Sequence, residues 1–439
     1  MSVKLHRRLI IPTAVAAVIG LALTGCGNGP GATTAESGAA GDGEVTVYGT
    51  IADTEADLLE QSWAQWEKDN KIDIKYESSK EFEAQIAIRA QGGNAPDLAI
   101  FPQPGLLADL ATRGYLKPAS ADVEANVDEG WSKDWKAYGT VDGTFYGAPL
   151  MASVKGFIWY SPKNFAEWGV EVPQTWDDLV AATKTIQEKT GKAPWCAGFG
   201  SGDATGWPGT DWVEDLVLRQ SGAETYDKWV KNEVPFTDAA ISSAFDSVGE
   251  ILLNPSYVNA GFGDVASINS TAFGDVATPI SDGTCAMTHQ ASFFDGFITD
   301  AGGKVGPDAD VWAFITPGEE AGASAVTGGG EIVGAFSDDA DTQKVQAYLS
   351  SADWANSRVA LGGVISANKG LDASNAKSPI LQQAITILQD PKTTFRFDAS
   401  DLMPGAVGAG TFWKGMVNWI NGTPTTEVLT SIEAGWPSN

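Results

Sequence analysis

The chain has 439 residues, with 28 Lys+Arg against 56 Asp+Glu, 43% hydrophobic residues and three cysteines. This length and composition exclude a disulfide-rich miniprotein and a multispan membrane protein, and suit two α/β domains large enough to bury sizeable cores. A formal net charge of −28 would repel nucleic-acid backbones and anionic membrane surfaces, so an uncharged or cationic ligand is expected and no nucleic acid.

In chain order the first feature is an export signal. Lys4, Arg7 and Arg8 precede an apolar run, Leu9 to Leu23, that is too short to span a bilayer comfortably. Leu23-Thr24-Gly25-Cys26 resembles a bacterial lipoprotein box. That resemblance implies removal of residues 1–25, lipid on the Cys26 sulfur, and anchoring by acyl chains at the extracytoplasmic face of the bacterial cell membrane. An ordinary secretory signal with a chance cysteine is the alternative. Gly27 to Gly43, rich in Gly, Ala, Ser and Thr, has too little apolar surface to fold, so 26–44 reads as a lipidated cysteine and flexible tether. With Cys26 carrying lipid, Cys196 and Cys285 are left in an oxidising compartment. A disulfide between them is expected, and the chain-entropy argument sets an upper figure of roughly 4–5 kcal/mol for its stabilisation. Two buried free thiols are the other possibility.

The globular part opens with a strand at Val45-Thr46-Val47-Tyr48. Leu58, Leu59, Trp63 and Trp66 recur at helical spacing within Glu55 to Lys68, and Ile72 to Tyr76 alternates as a strand. Phe82 to Ala90 reads as a helix stopped by Gly92-Gly93, and Ala95 to Phe101 as a buried strand. This βαβ alternation predicts a mainly parallel sheet covered on both faces. Further helices are expected at Trp176–Thr190, Asp211–Ser221, Asp341–Leu349 and Ile380–Leu388.

The catalytic inventory is short. After signal removal one histidine is left, His289, which we read as structural, and there is no paired-His metal motif, CxxC or Gly-Lys-Ser/Thr phosphate loop. No metal, cofactor or enzymatic activity is expected, although the many carboxylates leave an exported two-carboxylate glycosidase open. The 16 tryptophans say more, because Trp195, Trp207, Trp212, Trp413 and Trp436 stand in Gly/Pro-rich contexts. Flat rings cover the C–H faces of sugars while Asp, Gln and Lys bond the hydroxyl rim. Core packing is the alternative for any single tryptophan.

Ser201-Gly202-Asp203-Ala204-Thr205-Gly206-Trp207-Pro208-Gly209-Thr210-Asp211-Trp212 resembles the α-glucoside-type members of the family 1 extracellular solute-binding proteins, maltose-binding-protein-like lipoproteins. Gly92 to Asp97, Phe101 to Gly105, Lys155 through Trp159-Tyr160-Ser161-Pro162, Cys285-Ala286-Met287 and Phe397 to Pro404 extend the likeness over nearly all of 45–436. The resemblance implies an α/β, two-lobed periplasmic-binding-protein-like fold, with a hinge crossed more than once and the ligand cleft between the lobes. Lobe one would be 45–152 plus 328–362 and lobe two 153–327 plus 363–436. It implies a monomeric ABC-importer receptor that delivers a neutral saccharide, an α-glucoside or short oligosaccharide, to membrane permease subunits driven by a separate ATPase. A glycerol phosphate or polyamine is the alternative solute.

By the same resemblance, lobe one would line the cleft with Asp53, Ser79, Glu81 and Gln103 from loops at strand ends, where open α/β sheets bind ligands. Lys155 beside the crossover would bond hydroxyls, or be a surface lysine. Trp207 and Asp211 would be stacking platform and hydroxyl acceptor, unless Asp211 caps the helix expected to begin there. Gln290, Phe293, Glu331 and Trp413 would complete the lining, with Phe412 as a substitute for Trp413.

Overall fold

The computed structural model describes residues 41–259, 261–322 and 325–437. The export signal, Cys26 and the tether as far as residue 40 lie outside the described residues. No helix among those described is long and apolar enough to cross a membrane.

The strands are β1 (Glu44–Gly49), β2 (Asp73–Ser78), β3 (Leu98–Phe101), β4 (Thr140–Val141), β5 (Thr144–Phe145), β6 (Gly147–Val154), β7 (Phe157–Tyr160), β8 (Met287–Gln290), β9 (Trp312–Ile315), β10 (Ala325–Ala335) and β11 (Thr394–Phe397). The larger sheet runs β11-β10-β3-β1-β2 with β6 also on β10, and a three-stranded sheet runs β8-β7-β9. The expected parallel arrangement holds for β1 with β2 and β3 and for β10 with β11. It needs correction elsewhere, because β10 is antiparallel to β3 and β6, and the smaller sheet is antiparallel throughout. The cause is the crossover: β6 leaves the larger sheet at Val154 and β7 starts the smaller one three residues on, so the returning β10 must run against both β6 and β3. The fold is the two-lobed α/β class, with strands crossing between the lobes.

The expected helices form, and two of them, Trp176–Thr190 and Ala340–Leu349, start at side-chain caps. Trp176–Thr190 begins with a capping box, Thr175 accepting from the Asp178 N–H and Asp178 from the Thr175 N–H, and ends at Gly191 in the left-handed conformation. Helices Asp53–Asn70, Phe82–Gly92, Ala340–Leu349 and Pro379–Gln389 cover the other expected segments. The helix expected from Asp211 begins earlier, at Trp207, with Gly206 before it and Pro208 in its first turn, and continues to Val230 through a kink at Gly222. Asp211 therefore stands a full turn inside and is no cap.

Cys196 and Cys285 form the expected disulfide, with Cα atoms 5.8 Å apart. Both are fully buried in an apolar cluster that also holds Trp131, Trp135, Trp159 and Phe294. This cluster draws on segments both before and after the β6–β7 crossover, so it braces the hinge region.

Candidate functional site

The cleft opens where three segments end together. Ala52 and Asp53 follow β1, Pro102 and Gln103 follow β3, and the helix Trp207–Val230 points its first turn at them. A cavity of about 930 Å³ lies among these segments, lined also by Glu83, Phe273, Phe293, Phe297, Asp401 and Trp413. A second of about 810 Å³ shares Ala52, Asp53, Phe293 and Phe297 with it, and a third of about 250 Å³ reaches the crossing strands at Lys155 and Glu331. The volumes suit a small sugar with room to spare.

One wall is aromatic. The Trp207 ring meets Phe273 edge-on at 5.1 Å and Phe293 at 6.1 Å, and Phe273 meets Phe297 at 5.2 Å. Gly206 makes the helix start possible: its φ is +116°, and a Cβ there would stand 2.3 Å from the Trp413 carbonyl oxygen. Trp413 is nearly buried, and its indole N–H has no partner among the described residues. Phe412, the alternative to Trp413, faces away into the core against Trp229 and Phe236 and does not line the cleft. Trp195 and Trp212 are core residues too, with Trp195 donating its N–H to Thr183 Oγ1 at 2.9 Å, and Trp436 packs at the edge of the same core. Of the five loop tryptophans, Trp207 and Trp413 reach the cleft.

The floor is charged. Lys155 follows β6 directly, is buried, and its ammonium pairs with Asp211 Oδ1 at 2.9 Å and with Asp398. It also lies 5.0 Å over the Trp207 ring. The surface-lysine alternative is therefore wrong, and the hydroxyl-acceptor expectation for Asp211 meets a carboxylate already bound to Lys155. Carboxylate oxygens of Asp211, Glu214 and Asp398 lie within 4.8 Å of one another, a spacing a metal ion could use, and the ammonium supplies the positive charge there. One ammonium cannot offset so much negative charge: burial pushes Asp211, Asp398 and Asp401 upward and Glu214 up to about 8, while Lys155, despite its own burial, is held charged by Asp211 and Asp398. Below this, Asp215 binds His289 Nε2 at 3.1 Å and accepts from Thr327 Oγ1. Burial opposes ionisation of Asp215, but Arg219, His289 and Thr327 outweigh it and bring its carboxyl down to about 2.

The other sequence expectations separate cleanly. Asp53, Gln103, Trp207, Phe293 and Trp413 share the largest cavity, and Lys155 and Glu331 line the hinge compartment. Gln103 donates to Glu83 Oε1 at 3.1 Å, leaving its own Oε1 without a partner. Ser79 and Glu81 are outside all three compartments: the Ser79 hydroxyl accepts from the Glu81 N–H at the top of the next helix. Gln290 is also outside; it ends β8 in the buried smaller sheet, and its Oε1 accepts from the Ala291 N–H at 2.8 Å. Sequence reasoning missed Glu83, Phe273, Phe297 and Asp401. Asp401 lay inside a stretch that carried the family likeness and could have been picked out; the two phenylalanines carry no local signal.

A model of the bacterial extracellular solute-binding proteins matches residues 52–358. An osmoprotective-compounds-binding protein of Synechocystis sp. is 37% identical over 421 residues, 95% of this chain and 97% of its own length. An alpha-glucosides-binding periplasmic protein of Rhizobium meliloti is 38% identical over 406 residues, 90% of this chain and 87% of its own. Among solved structures, a bacterial solute receptor with an exclusive preference for β-D-galactopyranose superposes with a TM-score of 0.76 at 21% identity, covering 90% of this chain and 98% of that one.

Proposed function

The chain belongs to the bacterial extracellular solute-binding proteins, and from that premise we propose that it is a lipid-anchored ABC-importer receptor that captures a neutral saccharide and hands it to a membrane permease. As a member of that family it is a binding protein and not an enzyme. The name of the alpha-glucosides-binding relative supports an α-glucoside or short oligosaccharide as the ligand class.

One observation carries the reading. A ring wall of Trp207, Phe273 and Phe293 and polar groups from Asp53, Glu83 and Gln103 face the same cavity. Aromatic faces cover sugar C–H surface, and carboxylates and amides take the hydroxyls at the rim. We assign lobe one to 45–152 plus 328–362 and lobe two to 153–327 plus 363–436. In that division the aromatic wall belongs to one lobe and Asp53, Glu83 and Gln103 to the other. Ligand that touches both favours the closed form by its differential affinity for it, and the closed, loaded shape is what a permease would read. A mismatched epimer leaves buried polar groups unpaired, at about 1–3 kcal/mol each.

A thermal-shift screen of some two dozen saccharides, with glycerol 3-phosphate and spermidine as controls, tests the proposal. A ligand at 100 times its dissociation constant stabilises by about 2.7 kcal/mol. Stabilisation by a glucoside and not by the controls is expected; stabilisation by a control alone would sink the saccharide reading.

A further inference from the structure

One helix carries both a cleft residue and the fastenings of the strands that cross between the lobes. On Trp207–Val230, Trp207, Asp211, Glu214 and Asp215 fall at i, i+4, i+7 and i+8, so they share one face. Trp207 lines the cavity, and the other three meet the chain where it leaves or enters the larger sheet. Asp211 pairs with Lys155 just after β6, and Glu214 Oε1 accepts from the Ser400 N–H at 2.9 Å just after β11. Asp215 reaches two crossings at once. Its Oδ1 accepts from Thr327 Oγ1 on β10, and its Oδ2 lies so close under Gly156, between β6 and β7, that a Cβ there would stand 2.0 Å from it. The Lys155 N–H donates to the Thr327 carbonyl at 2.9 Å, so these crossings are bonded to each other as well as to the helix.

Asp215 and Thr327 are fully buried and line none of the three compartments, so neither is placed to touch a ligand. The carboxylate is held from behind by His289 Nε2 at 3.1 Å and by the Arg219 guanidinium at 3.6 Å, and the His289 ring is itself fixed by stacking on Trp212 at 4.5 Å. A hydrogen bond to a carboxylate supported in this way is strong and directional. The strand just beyond Thr327 is freer. A Cβ on Gly328 or Gly330 would come within 2.3 Å of the Phe395 ring or the Met151 carbonyl oxygen, so close packing accounts for both glycines. At Gly329 the nearest atom is Lys155 Cε at 3.3 Å, and a methyl group would nearly fit. Glycine there keeps a backbone freedom that packing does not demand.

We infer that Asp215 is a positioning residue: through Thr327 and the turn at Gly156 it fastens two crossing strands to the helix that bears Trp207, so that the hinge bends beyond the fastening, at Gly329, and the stacking ring keeps its place relative to the crossings. Its effect on affinity rests on the saccharide reading, while its effect on the crossings does not.

The test takes purified wild type, Thr327→Val, Thr327→Ser and Gly329→Ala, titrates each calorimetrically with maltose, trehalose and sucrose, and follows amide hydrogen exchange of the ligand-free proteins by mass spectrometry. Thr327→Val, which keeps the shape and loses the hydroxyl, is expected to weaken the sugar that wild type binds best by about five- to tenfold, the effect of roughly one lost hydrogen bond, and Thr327→Ser to stay within about twofold. Exchange in Thr327→Val is expected to quicken at 154–157 and 327–330 and not at Val45–Tyr48 inside the larger sheet. Gly329→Ala is expected to weaken the same sugar with no fall in melting temperature, because alanine restricts the unfolded chain while it stiffens the hinge. Affinity of Thr327→Val within twofold of wild type would overturn the assignment, as would an equal loss in Thr327→Ser, since the hydroxyl would then matter only as bulk. Should Thr327→Val fail to fold, as judged by its melting curve, Gly329→Ala decides, and undiminished affinity overturns it. A wild type that binds none of the three sugars sinks the saccharide reading alone. Exchange confined to the two crossings in ligand-free Thr327→Val then upholds the hinge assignment, and exchange that quickens everywhere or nowhere overturns it.

Discussion

The aromatic wall and the charged floor of the cleft meet where the Lys155 ammonium lies over the Trp207 ring, and they are built on opposite terms. Trp207, Phe273 and Phe297 keep part of their surface in solvent and make contacts chiefly with one another. Lys155, Asp211, Glu214 and Asp398 are withdrawn from solvent, and the carboxylates, which repel one another, depend on the Lys155 ammonium to offset their desolvation. The difference teaches where binding and folding separate: the wall can lose a ring and stay folded, whereas the floor cannot lose its cation.

The largest effect should come from the floor. Lys155→Met leaves buried carboxylates without their ammonium, and urea unfolding should show a loss of about 3–5 kcal/mol. A loss below about 1 kcal/mol would mean that the carboxylates simply take up protons. Next comes the disulfide: replacing Cys196 and Cys285 together by Ala should cost about 2–4 kcal/mol in the same measurement, with ligand affinity little changed. The wall should behave the other way. Trp207→Ala is expected to weaken saccharide binding by about 2 kcal/mol in calorimetry, with the melting temperature of the ligand-free protein nearly unchanged; undiminished affinity would remove Trp207 from the contact surface.

The smallest expected effect concerns pH at the hinge compartment, where Glu331 lies. Burial and the neighbouring Glu55 lift the Glu331 carboxyl up to about 7, and Arg358 only partly opposes this. Between its ordinary value of 4.5 and about 7 the folded protein holds a proton that the unfolded chain has released, so this group's contribution to stability falls as pH rises through that window. Glu331→Gln removes the dependence and should gain about 1–2 kcal/mol on wild type at pH 8 relative to pH 5. Parallel stability curves for the two proteins would show that Glu331 ionises as an ordinary carboxylate.

Much of this was readable in the residues. Trp176–Thr190 announced itself by period, cap and terminal glycine, and Trp207 by a loop motif shared with a family. The fold class followed from the βαβ start and the resemblance, but the antiparallel return of β10 did not, because strand direction after a crossover leaves no mark on alternation. Asp211 was legible as important and illegible in role: whether a carboxylate meets a hydroxyl or an ammonium depends on Lys155 and Asp398 arriving from distant parts of the chain. Gln290 misled for a related reason. A polar residue at a strand end looks available, and only the folded sheet shows its amide turned back on the next backbone N–H.

The contact at Gly206 fixes the caliper of the stacking wall. Because its α-carbon rests against the Trp413 carbonyl with no room for a methyl group, the segments bearing the two indoles are spaced by main chain against main chain, and no rotamer change can widen or narrow that spacing. Ligand preference can then drift by exchanging the rings or the polar rim, while the gauge that presents them stays constant from one solute to the next.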